Sequence, residues 1–376
     1  MLKIDKKCQI HRQKTYLCVV ENIGHILNNY RKQKSISLIN LSSETGIDAG
    51  LLSKYERSLR IPSDAHLQIL ANFHSVDFQE LKKYQLAERI YSMLVDEPSG
   101  VDAFILAEPR IQYISQKSYK EQLSYSTAIA NKLKALDGLR DEYNALSKEN
   151  EVHIAKSRDN FALRYTYESN KIEGNTLTLS ETMMVVKEGI TISGKSVAEH
   201  LEAINHQEAI DLMSDLVYEE VDFNKRILLQ LHGLILRGID RKNAGKYRDI
   251  NVRIMGAEHV PPEPLLVPDL MDDYFSFYKQ AKGNVHPVIL AAEMHERLVT
   301  IHPFIDGNGR TSRLVMNLIL LMNGYPIAIL KGDQQSRLRY FAALEQVQTD
   351  GNPQDFYNLV IDHLVDALKE WISLLK

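Results

Sequence analysis

The chain has 376 residues, 44% hydrophobic and 25% charged, with a formal net charge of −4. That length suggests two or three domains, the apolar fraction suffices for real cores, and the near-balanced charge excludes a protein drawn bodily to nucleic acid by its overall field. The only cysteines are Cys8 and Cys18. Two thiols near one terminus make no disulfide framework and point to a reducing compartment. The basic opening MLKIDKKCQIHRQK is followed by a short apolar run at 16–20, too short for a secretory core. No stretch approaches the roughly 18 apolar residues of a membrane span. A cytoplasmic protein without a membrane partner is the expectation.

In chain order, residues 22–86 read as several short helices broken at Gly46 and Pro62. A connector follows over 87–118, marked by Glu97-Pro98-Ser99-Gly100. From about 119 to 167 the pattern is a long amphipathic helix or a helix pair, because Ile129, Leu133, Leu136, Leu139 (or Arg140 beside it), Tyr143 and Leu146 step by threes and fours as a buried stripe requires. Helices over 180–188, 196–218 and 222–237 come next. Residues 245–268, GKYRDINVRIMGAEHVPPEPLLVP, then change the texture. Ile250, Val252 and Ile254 alternate with polar residues, and Met255-Gly256-Ala257-Glu258 offers a turn, so a short β-hairpin is expected there. Helices over 287–300, 308–323, 336–349 and 353–375 complete the chain. The expected fold is mainly α with one hairpin. It divides into a domain at 1–86, the connector, a helical segment at 119–195 and a core at 196–376.

Residues 302–313, HPFIDGNGRTSR, form a loop between two helical patterns. Gly307 and Gly309 let the backbone bend and approach a ligand closely. Free N–H groups at the following helix N-terminus, with the helix dipole, make an anion site. Arg310 and Arg313 are three apart, on one face, and can both reach one polyphosphate. Asp306 is a hard-oxygen ligand suited to Mg²⁺ bridging phosphates. Asn308 can donate to a phosphate oxygen, and His302 can take a proton from an attacking hydroxyl. Phe304 is expected to point inward and anchor the loop.

These residues resemble the signature of the Fic family, HxFx(D/E)GNGRxxR, with every defined position matched. The likeness extends over roughly 119–376. Fic proteins mostly transfer AMP from ATP to a hydroxyl side chain of a target protein. The resemblance therefore implies His302 as general base, Asp306 as ligand of Mg²⁺ or Mn²⁺, and Gly307, Asn308, Gly309, Arg310 and Arg313 as phosphate ligands. The phosphorylating Doc branch has Lys where this chain has Gly309, which favours nucleotidyl transfer. The hairpin at 250–262 is similar to the family's flap, which pairs with an extended segment of the target by strand addition. Met255 and Gly256 are placed to touch the nucleotide, the alternative being a purely structural hairpin. The run from Arg339 and Tyr340 to Leu344 resembles the adenine-side segment, but Phe341 and Gln348 replace the tyrosine and asparagine common there. Tyr340 is thus either a nucleotide contact or core packing.

Upstream lies TYESNKIEGNTLTLSET at 166–182. Ser169 and Glu173 share one helical face, Gly174-Asn175 is a natural helix stop, and Thr178 or Ser180 can cap the next helix. The stretch SNKIEG matches the Fic inhibitory pattern (S/T)xxxE(G/N) at Ser169, Glu173 and Gly174. In that family the glutamate pairs with the second arginine of the signature, here Arg313, and obstructs placement of the γ-phosphate. The same glutamate in some members aligns a water that removes AMP, and the sequence leaves both roles open.

Residues 24–81 resemble an Xre-like helix-turn-helix through Leu41, Gly46-Ile47, the run LSKYER at 52–57, RIPS at 60–63, Leu70-Ala71 and Leu81. The resemblance implies DNA as partner, with 49–57 as recognition helix. Between Arg31 and Arg60 there are six basic and three acidic residues. Ala49 and Gly50 stand where base-reading side chains usually sit, so Lys54, Arg57 and Arg60 suit phosphates rather than bases. A protein-interaction domain of the same fold is the alternative. The whole chain reads as an adenylyltransferase braked by Glu173, whether monomer or homodimer. Its rival is a transcriptional regulator that uses the Fic domain as a nucleotide sensor.

Overall fold

A computed structural model of the chain describes residues 22–108, 111, 123 and 125–376. The basic opening stretch and both cysteines lie outside the described residues. The chain divides into two compact units, between residues 121 and 122.

The first unit holds α1 (Ile23–Gln33), α2 (Leu38–Thr45), α3 (Ala49–Glu56), α4 (Asp64–His74) and α5 (Phe78–Leu94). Each start is fixed by a side-chain cap: Asn22, Ser37, Asp48, Ser63 and Asp77 accept from the first-turn backbone N–H groups. Gly46 ends α2 in the left-handed conformation that makes the tight turn into α3. Ile23, Leu27, Leu41, Leu52, Tyr55, Leu67, Leu70 and Leu81 form the core. Gly24 permits the close approach of α1 to α3, since a Cβ there would overlap the Tyr55 carbonyl. Helices extend into the expected connector: α5 runs past residue 86 to Leu94, and helix resumes over 100–108, with Glu97-Pro98-Ser99 in the turn between them.

The second unit contains α6 (Thr127–Glu149), α7 (Glu151–Ile172), α8 (Leu179–Glu188), α9 (Val197–Tyr218), α10 (Lys225–Ile235), α11 (Val267–Ala281), α12 (Pro287–Ile301), α13 (Asn308–Met322), α14 (Gln334–Asp350) and α15 (Gln354–Leu375). The long pattern of the sequence is thus a helix pair, α6 and α7. Helix α11 was not expected, although Val267, Leu270, Met271, Tyr274, Tyr278 and Ala281 carry the 3–4 spacing of a buried face. Capping boxes open α8 and α9: the side chains of Thr178 and Ser196 accept from Glu181 and Glu199 backbone N–H, and those glutamates bond back.

Helices α12 and α13 pack together at the centre, with α7, α9 and α10 against α13, and α11, α14 and α15 against α12. Leu314, Val315, Met316, Leu318, Ile319 and Leu320 of α13 are all buried. Their burial amounts to about 10 kcal/mol before the opposing chain entropy is subtracted. Trp371 of α15 stacks on Phe161 of α7 at 4.3 Å and meets Tyr143 of α6 at 5.8 Å, closing the far side. This core fixes the two ends of the loop between α12 and α13.

The expected hairpin is absent: no residue from 250 to 262 is in a strand. The alternation survives in part, with Val252 and Ile254 half-buried and Ile250, Asn251, Arg253 and Met255 exposed, but no ladder joins the two limbs. Pro261 and Pro262 lack donors. The loop is held at its base instead, where Arg248 Nη1 donates to the Ile250 carbonyl at 3.0 Å and Nη2 to that of Pro262.

Candidate active site

His302 caps α12 in the left-handed region, at φ 51° and ψ 56°. That conformation costs a non-glycine residue roughly 1 kcal/mol or more. It is held from outside by Arg248, whose Nε donates to the His302 carbonyl at 2.8 Å and whose backbone N–H donates to Pro303 at 2.9 Å. The ring Nδ1 lies 3.1 Å from the Val299 carbonyl. A carbonyl only accepts, so Nδ1 carries the proton and Nε2 is the basic nitrogen. Burial pushes the imidazole pKa below its usual 6.5, and the Arg248 guanidinium adds to this against the opposing bond to Val299. The ring is therefore neutral at neutral pH.

The loop then turns on Phe304, which is fully buried and stacks on His232 of α10 at 3.6 Å. Phe304 thus anchors the loop as expected. His232 accepts from Gly245 N–H through Nδ1 at 2.9 Å and donates from Nε2 to the Asp306 carbonyl at 3.0 Å. The Asn308 side chain is engaged within the loop. Its amide bonds the Phe304 N–H at 3.0 Å and the Phe304 carbonyl at 2.9 Å, which closes the loop on itself. Gly307, at φ 77°, makes the last bend into α13, where a Cβ would lie 3.3 Å from Ile235.

Among the described residues no side chain caps helix α13, so the N–H groups of its first turn remain available to an anion. Asp306 stands at this end with its side chain 61% exposed and takes the Gly307 N–H at 2.6 Å. The two signature arginines share the face but not their partners. Arg310 donates to Glu202 of α9 at 2.9 Å and to Asp306 at 3.3 Å. Arg313 is buried, donating from Nε to Ser169 Oγ at 3.0 Å and from Nη2 to the Ser169 carbonyl at 2.9 Å. Its Nη2 also pairs with Glu173 at 2.7 Å. Burial opposes the Arg313 charge, but Glu173 beside it more than restores it.

Glu173 follows α7 directly, and Gly174 at φ 100° turns the chain away. Its carboxylate lies over the start of α13: a Cβ on Gly309 would overlap its Oε1. Glu173 therefore occupies the position at which an anion meets Arg313 and the helix end.

Of the two readings of Tyr340, the structure shows a packed side chain. It is 2% exposed, lies behind Arg313 with its hydroxyl 3.4 Å from Nη1, and contacts His295 Nε2 at 3.1 Å. Burial pushes its phenol up to about 12. It supports the arginine, whereas its neighbour Phe341 is 43% exposed. Met255 is wholly exposed, and none of the described residues lies within 4 Å of a Cβ built on Gly256, so neither packs against the cradle. In the first unit, Lys54, Arg57 and Arg60 are exposed on and after α3, while Arg31 is tied to Glu56 at 2.6 Å. Sequence reasoning missed Glu202, His232 and Arg248. The phrase KYRDI before the loop and the single His in α10 were the available signals.

Comparison with known proteins agrees with this geometry. The Fic/DOC family matches residues 222–320, and a helix-turn-helix family matches 27–81. A relative from Drosophila mojavensis, named protein adenylyltransferase Fic, is 33% identical over 352 residues, covering 92% of this chain and 66% of its own length. Its namesake from Drosophila grimshawi is 29% identical over 320 residues, covering 85% and 62%. The chain spans from about half to under two thirds of the length of the first such relatives, 46% in Drosophila sechellia. Among solved structures, a Fic family protein from Desulfovibrio desulfuricans is 28% identical with a TM-score of 0.58, covering 67% of this chain and 76% of that one. A Fic domain containing signaling protein from Bacteroides thetaiotaomicron is 25% identical with a TM-score of 0.59, covering 64% and 96%. The chain carries a Fic/DOC-family domain, with a helix-turn-helix domain ahead of it.

Proposed function

We propose that the chain is a protein adenylyltransferase that moves AMP from ATP to a Ser, Thr or Tyr hydroxyl of a target protein, and that Glu173 restrains it. The observation that carries this reading is a neutral histidine with a free basic Nε2 beside an uncapped helix N-terminus and two buried arginines. The names of the relatives support the same chemistry. His302 Nε2 takes the proton of the target hydroxyl as its oxygen bonds to the α-phosphorus. The bond to the bridging oxygen breaks, and pyrophosphate leaves toward the N–H groups of α13, Arg310 and Arg313, whose fixed charges stabilise it. Gly309, without a side chain, leaves room for the phosphates.

Asp306 fits Mg²⁺ or Mn²⁺. It is a single exposed carboxylate at the phosphate end, and no cluster of three or more metal-ligating side chains occurs among the described residues. Such a site suits a cation held largely by phosphate oxygens and water. When bound, the cation neutralises phosphate charge. No helix among the described residues is long and apolar enough to cross a membrane, and the reading places the enzyme in the cytoplasm.

The exposed Lys54, Arg57 and Arg60 support phosphate contacts with duplex DNA through the first unit. Removal of AMP through a water aligned by Glu173 belongs to the same reading. Purified protein incubated with ATP labelled on the α- or the γ-phosphate tests the proposal. Label retained from the α-position alone means adenylyl transfer. Label retained from the γ-position means phosphorylation, and none from either, with ATP bound, means a nucleotide sensor.

A further inference from the structure

The turn that delivers Glu173 is gripped from α9. Glu199 accepts from the Thr176 backbone N–H at 2.9 Å and from its hydroxyl at 2.6 Å. One turn later, Glu202 Oε2 accepts from Asn175 Nδ2 at 2.8 Å, while its Oε1 accepts from Arg310 Nη1 at 2.9 Å. The Glu202 backbone carbonyl also takes the Asn170 amide at 3.3 Å. A single carboxylate thus bridges the phosphate cradle and the segment carrying the brake.

We propose that Glu202 is a positioning residue coupling the two, with one oxygen aiming Arg310 and the other holding Asn175 so that Glu173 stays over α13. This rests on the reading of Arg310 and Glu173 given above. Arg310 is nearly buried, its side chain 4% exposed, and needs a counter-charge. Its other carboxylate is Asp306, the exposed group assigned to the metal. Once Asp306 turns to a cation, Glu202 alone aligns Arg310. Both partners of Glu202 are donors, so both of its oxygens must accept. A glutamine offers one acceptor and one donor group, and can satisfy Arg310 or Asn175 but not both.

The test has two arms. In nucleotide-free protein, Glu202→Gln and Asn175→Ala are each expected to raise hydrogen exchange at Glu173, Gly174 and Asn175 by about tenfold, with α12 unaffected. Those amides bond to the carbonyls of Asn170 and Lys171 in the intact turn. In a Glu173→Gly background, where the brake is already gone, Glu202→Gln is expected to weaken Mg²⁺·ATP binding about tenfold by calorimetry. Asn175→Ala is expected to leave that affinity unchanged. Unchanged exchange in both variants, or equal ATP affinity with and without Glu202→Gln, overturns the proposal. The exchange arm requires no nucleotide, so its failure is distinct from failure of the transferase reading. Should Glu202→Gln not fold, Asn175→Ala carries the exchange arm and Glu202→Asp, too short to span both partners, replaces it in the second.

Discussion

Among the described residues, Glu173 is the only carboxylate bonded to Arg313, and replacing it by glycine removes that partner. The remaining partners are Ser169 Oγ, the Ser169 carbonyl and the Tyr340 hydroxyl, all neutral. Removing one member of a fully buried ion pair costs about 3–5 kcal/mol. The Glu173 side chain is 34% exposed, so water screens the pair and the loss of stability should be about 1–3 kcal/mol. The γ-phosphate of ATP can then take the vacated position over α13. A hydrogen bond to a charged group contributes about 1.5–3 kcal/mol, or roughly ten- to a hundredfold in affinity. The apo variant should therefore melt at a lower temperature, bind Mg²⁺·ATP more tightly by that factor, and label target or itself faster by a similar one. Calorimetry and labelled-ATP transfer, each with wild type alongside, measure both. Adding His302→Ala should return labelling to background while keeping the tighter binding, because the imidazole serves the attacking hydroxyl rather than the phosphates. Equal affinity and equal labelling in wild type and Glu173→Gly would refute the argument. A variant that accumulates a modified target which wild type strips would reassign Glu173 to removal of AMP.

The pH profile follows from His302. Because burial holds its pKa below 6.5, the base form persists through neutral pH, and kcat/KM should be flat from about pH 8 to about pH 7 and fall only on further acidification; an acid limb centred above pH 7 contradicts the assignment. Asp306→Ala should abolish the Mg²⁺ dependence of ATP binding, which calorimetry with and without the cation reads directly; a persisting dependence means that the cation is held elsewhere. Replacing Lys54 and Arg57 together should weaken duplex binding about equally on all sequences and flatten its salt dependence, and a wild-type protein showing no salt-sensitive shift would favour an interaction domain.

Much of the fold was legible in the chain because its signals are local. Helix periodicity and caps act over three or four residues, so Thr178 marks a helix start and Gly46 a break that the structure keeps. The loop at 302–313 is legible for the same reason: the bend at Gly307 and the inward Phe304 are made within twelve residues. Alternation at 250–254 misled, since it reports a face that is half-buried only at Val252 and Ile254 and does not report whether a partner strand exists.

What tertiary structure decided is which distant side chains meet. Asn308 could have faced a ligand, but the closed loop turns its amide onto Phe304. Tyr340 could have met a base, but the packing of α14 on α12 puts it behind Arg313. The pairing of Arg313 with Ser169 spans 144 residues of sequence, and that of Arg310 with Glu202 spans 108. No helical period reaches so far. Those contacts exist because α7 and α9 pack against α13 through their apolar faces, and the charged groups at the helix ends are carried to one another by that burial.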